Sequence, residues 1–418
     1  MLKKLFQTIK SNPFLQDNLI LFIGLFVAGI GGFIYHFVLG RLLGPADYGS
    51  LGALLSLAYI FLIILNTTQM GIADITTRLT LEKADKKITY LFRRLLKELV
   101  VIGLIFVAVF LALSSLISGY LHVPYMSVFI VSFALLFIFL LSLPRGMMQG
   151  LQRFTLLSSN NILESFIKLF AAILFVILGY GVAGAIGGIV FGYALAFVVG
   201  MYHFRSLFKT KEQTIPFNVK PVYSSSLYLG FVLIFLTLYY TIDVLLVKHF
   251  FDATQAGYYA ALAILGKVIF FGTSSIGQVM FPKVIALHAQ KKPHKHLFYK
   301  SCLLALLFIF PVLFFYFVFP TFVVTLLFGS QFLEIVPLLG LFGIYMTLFC
   351  LIYLFSYYFV SLGKNWIFLL LLFFFNILEI YLLYEFHESL PQVITLLISL
   401  SLIFLVILYI KFMRTKDA

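Results

Sequence analysis

Five ionisable residues stand inside long apolar runs of this chain: Glu164, Lys168, Asp243, Lys267 and Glu379. A charge at the centre of a bilayer costs about 2.5 to 3.5 kcal/mol unless it is paired or wet, so such residues face a protein interior. An ammonium at that depth suits a phosphate or pyrophosphate whose charge must be offset on its way through apolar surroundings. A carboxylate there can take up a proton or Na⁺ in one conformation and release it in another. Glu164 and Lys168 lie four apart and share one helix face, which leaves two readings open: a pair that neutralises itself, or part of a site. Lys267 has no acidic residue within four positions, so its counter-charge comes from another helix or from a bound anion.

The elements that must carry these groups follow from composition. Hydrophobic residues make up 63% of the 418, charged residues 11%, and the mean hydropathy is +1.11; a soluble domain would lack the charged surface to cover such a core. The chain reads as an all-α integral membrane protein. At about 20 residues per crossing, spans are expected near 18–39, 48–72, 99–121, 125–143, 156–179, 182–203, 223–247, 256–282, 301–328, 333–359, 366–386 and 391–410. Twelve spans place both termini on one side. The N-terminus, alternate loops and the tail then hold 25 of the 29 lysines and arginines, which makes that side cytoplasmic and the membrane the cell (inner) membrane. Arg41 and Lys248 fall at outer ends, where they meet a departing head group or snorkel to the interface. Counted from the span ends, Lys168, Lys267 and Glu379 lie near mid-depth, Glu164 nearer the cytoplasm and Asp243 nearer the outside.

The same placement explains the net charge of +14: basic clusters between apolar runs face a cytoplasm and anionic membrane lipids, not nucleic acid. Lys3, Lys4 and Lys10 precede an apolar run in the manner of a signal peptide, but the run is too long and lacks a cleavage site, so it reads as a retained first span. Cys302 and Cys350 lie within apolar runs and offer neither a disulfide framework nor zinc-ligand spacing. Between Arg78 and Glu98, apolar residues at helical spacing predict an amphipathic helix on the inner membrane surface. The basic loop from Ala289 to Lys300 reads as solvated, with His294 and His296 offering at most a pair of metal ligands.

The chain also repeats itself. Residues 40–54 (GRLLGPADYGSLGAL) and 248–262 (KHFFDATQAGYYAAL) each hold a polar turn opening a helix, and Gly49, Ala53 and Leu54 find Gly257, Ala261 and Leu262 at 208 positions, half the chain. Asp47, and Asp252 or Thr254, are the expected helix caps. A second echo pairs GLQRF at 150–154 with SLGKN at 361–365. Halves with an even number of spans make a parallel repeat, so the expected domains are 1–203 and 223–418, two six-helix bundles around a central cavity, joined by a cytoplasmic linker at 204–222. Asn66, Gln69, Asn160, Asn161 and Asn376 lie in or beside spans and can bind sugar hydroxyls or join helices. Pro311, Pro320, Pro337 and Gly187-Gly188 mark positions where a helix can bend.

No nucleophile, paired-carboxylate motif or metal cluster suggests an enzyme, and no cofactor is expected; Gly266-Lys267 lacks the upstream glycine and following Ser or Thr of a phosphate loop. The turn Arg41-Leu42-Leu43-Gly44-Pro45-Ala46-Asp47-Tyr48-Gly49, the stretch Arg145-Gly146 to Gln149-Gly150 with Arg153-Phe154, and Asp243 followed by Ala256-Gly257-Tyr258-Tyr259 resemble the polysaccharide and O-antigen flippases of the multidrug/oligosaccharidyl-lipid/polysaccharide (MOP) exporter superfamily. The resemblance implies a MATE-like fold and alternating access. It implies as substrate a polyprenyl-pyrophosphate-linked oligosaccharide turned to the outer leaflet, with H⁺ or Na⁺ as coupling ion and glycan polymerase or assembly proteins as partners. On that reading Lys168, Lys267, Arg41 and Lys248 serve the head group, and Asp243, Glu379 and Glu164 serve the ion. Two alternatives remain: a cation-coupled multidrug extruder of the same superfamily, whose cationic substrates favour acidic residues, and a scaffold in which every interior charge is structural.

Overall fold

A computed structural model of the chain describes residues 13–209, 215, 219, 227–363 and 365–415. Lys3, Lys4 and Lys10, most of the expected linker and the Lys364 of the second echo lie outside the described residues. Every regular element among the described residues is helical: α1 Pro13–Leu81, α2 Asp85–Leu121, α3 Tyr125–Gly150, α4 Phe154–Phe175, α5 Gly181–Tyr202 and α6 Arg205–Lys209, then α7 Leu227–Tyr239, α8 Ile242–Phe250, α9 Ala253–Ala289, α10 Lys295–Val318, α11 Pro320–Leu327, α12 Val336–Ser361, α13 Trp366–Glu385 and α14 Leu390–Arg414. One π-helical turn, Val176–Tyr180, and one 3₁₀ turn, Ser330–Ile335, complete the order.

Ten segments of the described residues are long and apolar enough to cross a membrane, and this is a multi-pass membrane protein. Two of the ten are double. Gly44 interrupts α1 with φ +71° and ψ 174°, a conformation L side chains rarely adopt, and Pro45 supplies the fixed φ that starts the second arm. Gly179 at φ +90° and Gly181 at φ +49° turn the chain between α4 and α5. Counting both arms in each case gives the twelve expected spans. Gly187 and Gly188, expected as a hinge, lie inside a continuous α5, where Gly188 lets the helix close onto Ala172. Pro311 likewise sits within α10, whereas Pro320 and Pro337 open helices, the position where a missing N–H is harmless.

Contacts divide the chain into two compact units. The first takes the described residues up to Leu42 together with Ala58–Gly230; the second takes Leu43–Leu57 together with the described residues from Phe231 onward. In the first unit, the opening arm of α1 lies along α4 through small residues: a Cβ on Gly24 or Gly31 would meet Ser158 or Ser165, and these serines donate to the Ile20 and Ala28 carbonyls at 3.1 and 2.7 Å. Such contacts let backbones approach where lipid offers no hydrophobic drive.

The amphipathic stretch after α1 does not form a separate helix on the membrane surface. Nothing between Asp85 and Gly103 breaks a helix, so it becomes the first turns of the 37-residue α2. Its apolar face is covered by protein: Ile88, Leu91, Phe92, Leu95 and Leu99 pack with Ile72, Leu79, Leu143, Met147 and Phe204. Arg93 adds two bonds to the Leu207 carbonyl, at 3.0 and 2.8 Å. The loop before α10 also differs from expectation. His294 is wholly buried between His288 (3.3 Å) and Tyr358 (2.8 Å), while His296 is exposed.

In the second unit the expected span at 223–247 is broken. α7 ends at Tyr239 and α8 begins at Ile242, with no glycine or proline between them. Carbonyls released by the break are recaptured: Tyr345 donates to the Tyr239 oxygen at 2.9 Å, and the Thr241 hydroxyl to that of Thr237 at 2.6 Å. The break places Asp243 in the first turn of a new helix. Leu43–Leu57 packs on α9 within this same unit. A Cβ on Gly49 would stand 2.7 Å from the Gly257 nitrogen, one on Gly52 2.6 Å from the Ala260 Cβ, and one on Gly257 would strike the Pro45 carbonyl. The pairs Gly49–Gly257 and Gly52–Ala260 are each 208 positions apart, so repeat-equivalent residues pack upon each other.

Candidate functional site

Five of the seven expected site residues gather into two charge clusters, one in each unit. In the first unit, α4 presents Asn160, Glu164 and Lys168 at four-residue spacing on one face, and α3 brings Arg145 to it. Arg145 Nη2 meets Glu164 Oε2 at 2.8 Å, and Lys168 Nζ meets Oε1 at 3.5 Å. Arg145 Nε donates to Asn160 Oδ1 at 2.8 Å, and Asn160 Nδ2 donates to the Ala196 carbonyl of α5 at 2.7 Å. Gly192 permits this approach, since a Cβ there would press on Lys168 and on the Glu164 carbonyl. The side chains are 8% (Arg145), 12% (Glu164) and 19% (Lys168) exposed, so accessibility rises toward the more loosely held ammonium.

This arrangement changes how Glu164 and Lys168 relate. Two cations share one carboxylate, and Arg145 holds it through a short, charge-assisted bond. The cluster therefore carries one positive charge beyond its internal compensation, and Lys168 is the group best placed to offer it. Arg145 entered the sequence reading only through its motif, at the end of a span beside Pro144. A cation one helical turn inside a glycine-rich helix end was the available signal.

In the second unit, Asp243, Lys267 and Glu379 are buried at 1%, 3% and 0% exposure. Asp243 stands at the N-terminus of α8, where the helix dipole favours negative charge. Its Oδ1 accepts from the Val244 N–H at 2.8 Å and its Oδ2 from the Tyr259 hydroxyl at 2.7 Å. Lys267, two turns along α9 from Tyr259, lies within electrostatic reach of the Asp243 carboxylate, and its Nζ is 5.4 Å from the centre of the Tyr240 ring. The counter-charge anticipated for Lys267 on another helix is thus Asp243 of α8.

Glu379 of α13 differs from all of these. Neither carboxyl oxygen has a hydrogen-bond partner among the described residues, although Asp243, Tyr239, Tyr259 and Tyr345 lie close enough to interact with it electrostatically. Asn376, one turn earlier, donates to the Leu372 carbonyl at 2.8 Å and leaves its own Oδ1 equally unpartnered. Buried polar atoms are normally satisfied, and an exception calls for an explanation such as a proton or a bound cation. Three open acceptors on one helix face, near a second carboxylate, can hold either.

Of the remaining expected residues, Arg41 is exposed in the first unit. Lys248 in the second is 2% exposed and lies within reach of Asp47 and Asp252. Asp252 caps α9 as anticipated, accepting from the Thr254 and Gln255 N–H groups at 2.8 and 2.9 Å.

Comparison with known proteins agrees with this architecture. The family described as polysaccharide biosynthesis protein matches residues 14–288. No curated protein matches. Among solved structures, an inward-facing multidrug resistance MATE family transporter of the MOP superfamily superposes with a TM-score of 0.78 at 12% identity, over 91% of this chain and 92% of the other. The lipid II flippase MurJ, in an inward closed conformation, gives 0.72 at 15% identity, over 95% and 88%. The MATE multidrug transporter DinF-BH, solved as a complex, gives 0.68 at 14% identity, over 96% and 94%. At these identities the likeness is one of fold.

Proposed function

Since the chain belongs to the polysaccharide biosynthesis protein family and has the fold of MOP superfamily transporters, we propose that it flips a polyprenyl-(pyro)phosphate-linked oligosaccharide from the cytoplasmic to the outer leaflet. It acts in the cell membrane with both termini cytoplasmic, supplies cell-surface polysaccharide synthesis, and works by alternating access coupled to an H⁺ or Na⁺ gradient. The observation that carries this reading is the surplus cation of the Arg145–Glu164–Lys168 cluster. A cationic drug would be repelled there, whereas a phosphate gains a partner. Lys267, held at depth by Asp243 and Tyr240, is the second head-group residue. Arg41 and Lys248 act at the outer ends. Glu379, with Asp243 beside it, carries the coupling ion; its two open oxygens support that role. Glu164 sets the strength of Lys168 as an anion partner.

The test is leaflet translocation in liposomes, using purified protein and a labelled polyprenyl-pyrophosphate oligosaccharide, with and without an imposed proton or Na⁺ gradient. Translocation that follows the gradient is expected, and Lys267→Gln should abolish it in protein that still folds and inserts. Normal transport by that variant refutes the role of Lys267. Expulsion of a cationic dye, without movement of the lipid, makes the chain a multidrug extruder.

A further inference from the structure

One face of α9 continues beyond Lys267 in a pattern that the two charge clusters leave unused. Phe271, Ser274 and Gln278 follow at the four- and three-residue steps of a single helical stripe, so they share the side of the helix that carries the ammonium. Phe271 is 49% exposed and Gln278 is exposed, although both lie within the span expected at 256–282. Acyl chains offer an amide no hydrogen-bond partner, so Gln278 faces a polar occupant.

α12 supplies the neighbouring wall. Gly277 leaves room for Tyr353, since a Cβ there would stand 3.1 Å from its ring. The buried Tyr353 side chain lies within hydrogen-bonding reach of both Gln278 and Tyr357, and its ring centre is 4.6 Å from that of Tyr357. Phe270 joins this end to the ammonium: its ring centre lies 5.1 Å from that of Tyr353 and 5.2 Å from that of Tyr240, the ring beside Lys267. From Lys267 to Gln278 the stripe extends about 16 Å along the helix, farther than a phosphate reaches.

The chemistry of this strip selects its ligand. No Asp, Glu, Lys or Arg stands between Val268 and Pro282 of α9 or between Val336 and Ser361 of α12, so nothing there matches a second ionic group. Aromatic faces instead adjoin an amide and hydroxyls. Ser274, whose hydroxyl donates to the Phe271 carbonyl at 3.2 Å, keeps its lone pairs as acceptors. Sugar rings match both features: their C–H faces lie flat on aromatic rings, and their hydroxyls donate and accept. An acyl chain would use the rings and strand the amide, and a cationic drug would meet the charge of Lys267.

We propose that this strip binds the uncharged sugar rings next to the head group of the transported lipid. Gln278, Ser274 and Tyr357 make the contacts, and Tyr353 is a positioning residue that holds Gln278 and Tyr357. This subsite rests on the flippase reading above and adds to it the residues that select the glycan. With both termini cytoplasmic, the strip runs from Lys267 toward the leaflet from which the glycan enters.

The test is the affinity of the full-length protein in a neutral detergent, read by microscale thermophoresis. Three probes are used: bare polyprenyl pyrophosphate, the same lipid carrying a neutral N-acetylhexosamine trisaccharide, and one whose trisaccharide contains a uronic acid. The neutral glycan should raise wild-type affinity about tenfold over the bare lipid, the worth of one or two net hydrogen bonds, and the acidic glycan should raise it less. Gln278→Leu combined with Tyr357→Phe should erase that gain, and Tyr353→Phe should reduce it. Lys267→Gln should weaken both lipids alike and keep the gain. If the double variant melts early, Gln278→Leu alone, at an exposed position, must still reduce the gain. Equal binding of bare and neutral glycosylated lipid by wild type, a gain that survives Gln278→Leu, or an equal gain from the acidic glycan overturns the proposal while the flippase reading stands. Failure of wild type to bind any of the three lipids, with binding of a cationic dye, removes the flippase reading and this subsite with it.

Discussion

Replacing Gly257 by alanine tests whether the packing of Leu43–Leu57 on α9 is a contact the protein depends on. An added Cβ would overlap the Pro45 carbonyl oxygen and lie 2.9 Å from the Pro45 Cα. Carbon atoms pack best at about 3.5 to 4.0 Å, and the carbonyl oxygen lies closer still, so one backbone must retreat by more than about 1 Å. Both neighbours are backbone, and no side chain can rotate away. Overpacking of this kind costs about 1 to 3 kcal/mol, which depopulates the packed arrangement about 5- to 150-fold relative to any state lacking it. The assay is thermal and denaturant melting of the full-length protein in detergent, which reads the loss directly. Gly257→Ala should be destabilised by about 1 to 3 kcal/mol. Gly49→Ala, whose Cβ would sit 2.7 Å from the Gly257 nitrogen, should be destabilised in the same direction. Unchanged melting of both alanine variants would mean that the helices relax at no cost and that close packing here is incidental.

Two further substitutions separate structure from transport. Glu379→Gln keeps the shape of a wholly buried side chain while removing its capacity to ionise; it should fold with an equal or higher melting temperature and lose gradient dependence, and gradient-driven transport by this variant would exclude Glu379 as the ion carrier. Arg145→Gln takes from Glu164 its 2.8 Å partner and leaves only the 3.5 Å contact with Lys168, so it should lower stability by about 3 kcal/mol. Lys168→Gln should cost under about 1 kcal/mol, given its greater exposure, yet reduce transport. Equal destabilisation by the two would make Lys168 a structural partner, with denaturation in detergent as the measurement.

Much of the membrane architecture was legible because length, hydropathy and the segregation of lysine and arginine are properties of composition. The turns at Gly44 and Gly179-Tyr180-Gly181 fall where two apolar runs meet, and glycine is the residue a positive φ demands. The break at Tyr240-Thr241 was not legible. It has no glycine or proline, and it persists because Tyr345, more than a hundred residues later, supplies the donor that the Tyr239 carbonyl loses. The surface helix expected near Arg78 to Glu98 failed for a related reason: periodicity reveals an apolar face, but lipid and protein cover such a face equally well. The buried state of His294 depends on Tyr358 and His288, which no local pattern in a basic loop announces. In the clusters, the apolar runs singled out each charge, whereas the partners Arg145 for Glu164 and Tyr259 for Asp243 come from a neighbouring helix, and no spacing within one helix announces them.

The internal repeat gives a reason to regard these charges as functional. The echo at Gly49 and Gly257 has a step of 208 positions, and the same step carries Asp243 back to Tyr35 and Lys267 back to Tyr59. Neither equivalent is charged. The Tyr35 hydroxyl donates to the Ala185 carbonyl at 3.0 Å, and that of Tyr59 lies 3.2 Å from His36 Nε2. At the second echo the step is 211 positions, which carries Lys168 to Glu379, a cation in one copy and a carboxylate in the other. A charge needed to build the fold would be needed in both copies, yet one copy manages with tyrosines and the other reverses the sign. Replacing Asp243 and Lys267 together, as Asp243→Asn with Lys267→Gln, removes both members of a buried pair and strands neither. The double variant should melt within a few degrees of wild type and fail to translocate lipid. A melting temperature far below that of either single variant would show that the pair holds the helices together, and the assignment of Lys267 to the head group would have to be withdrawn.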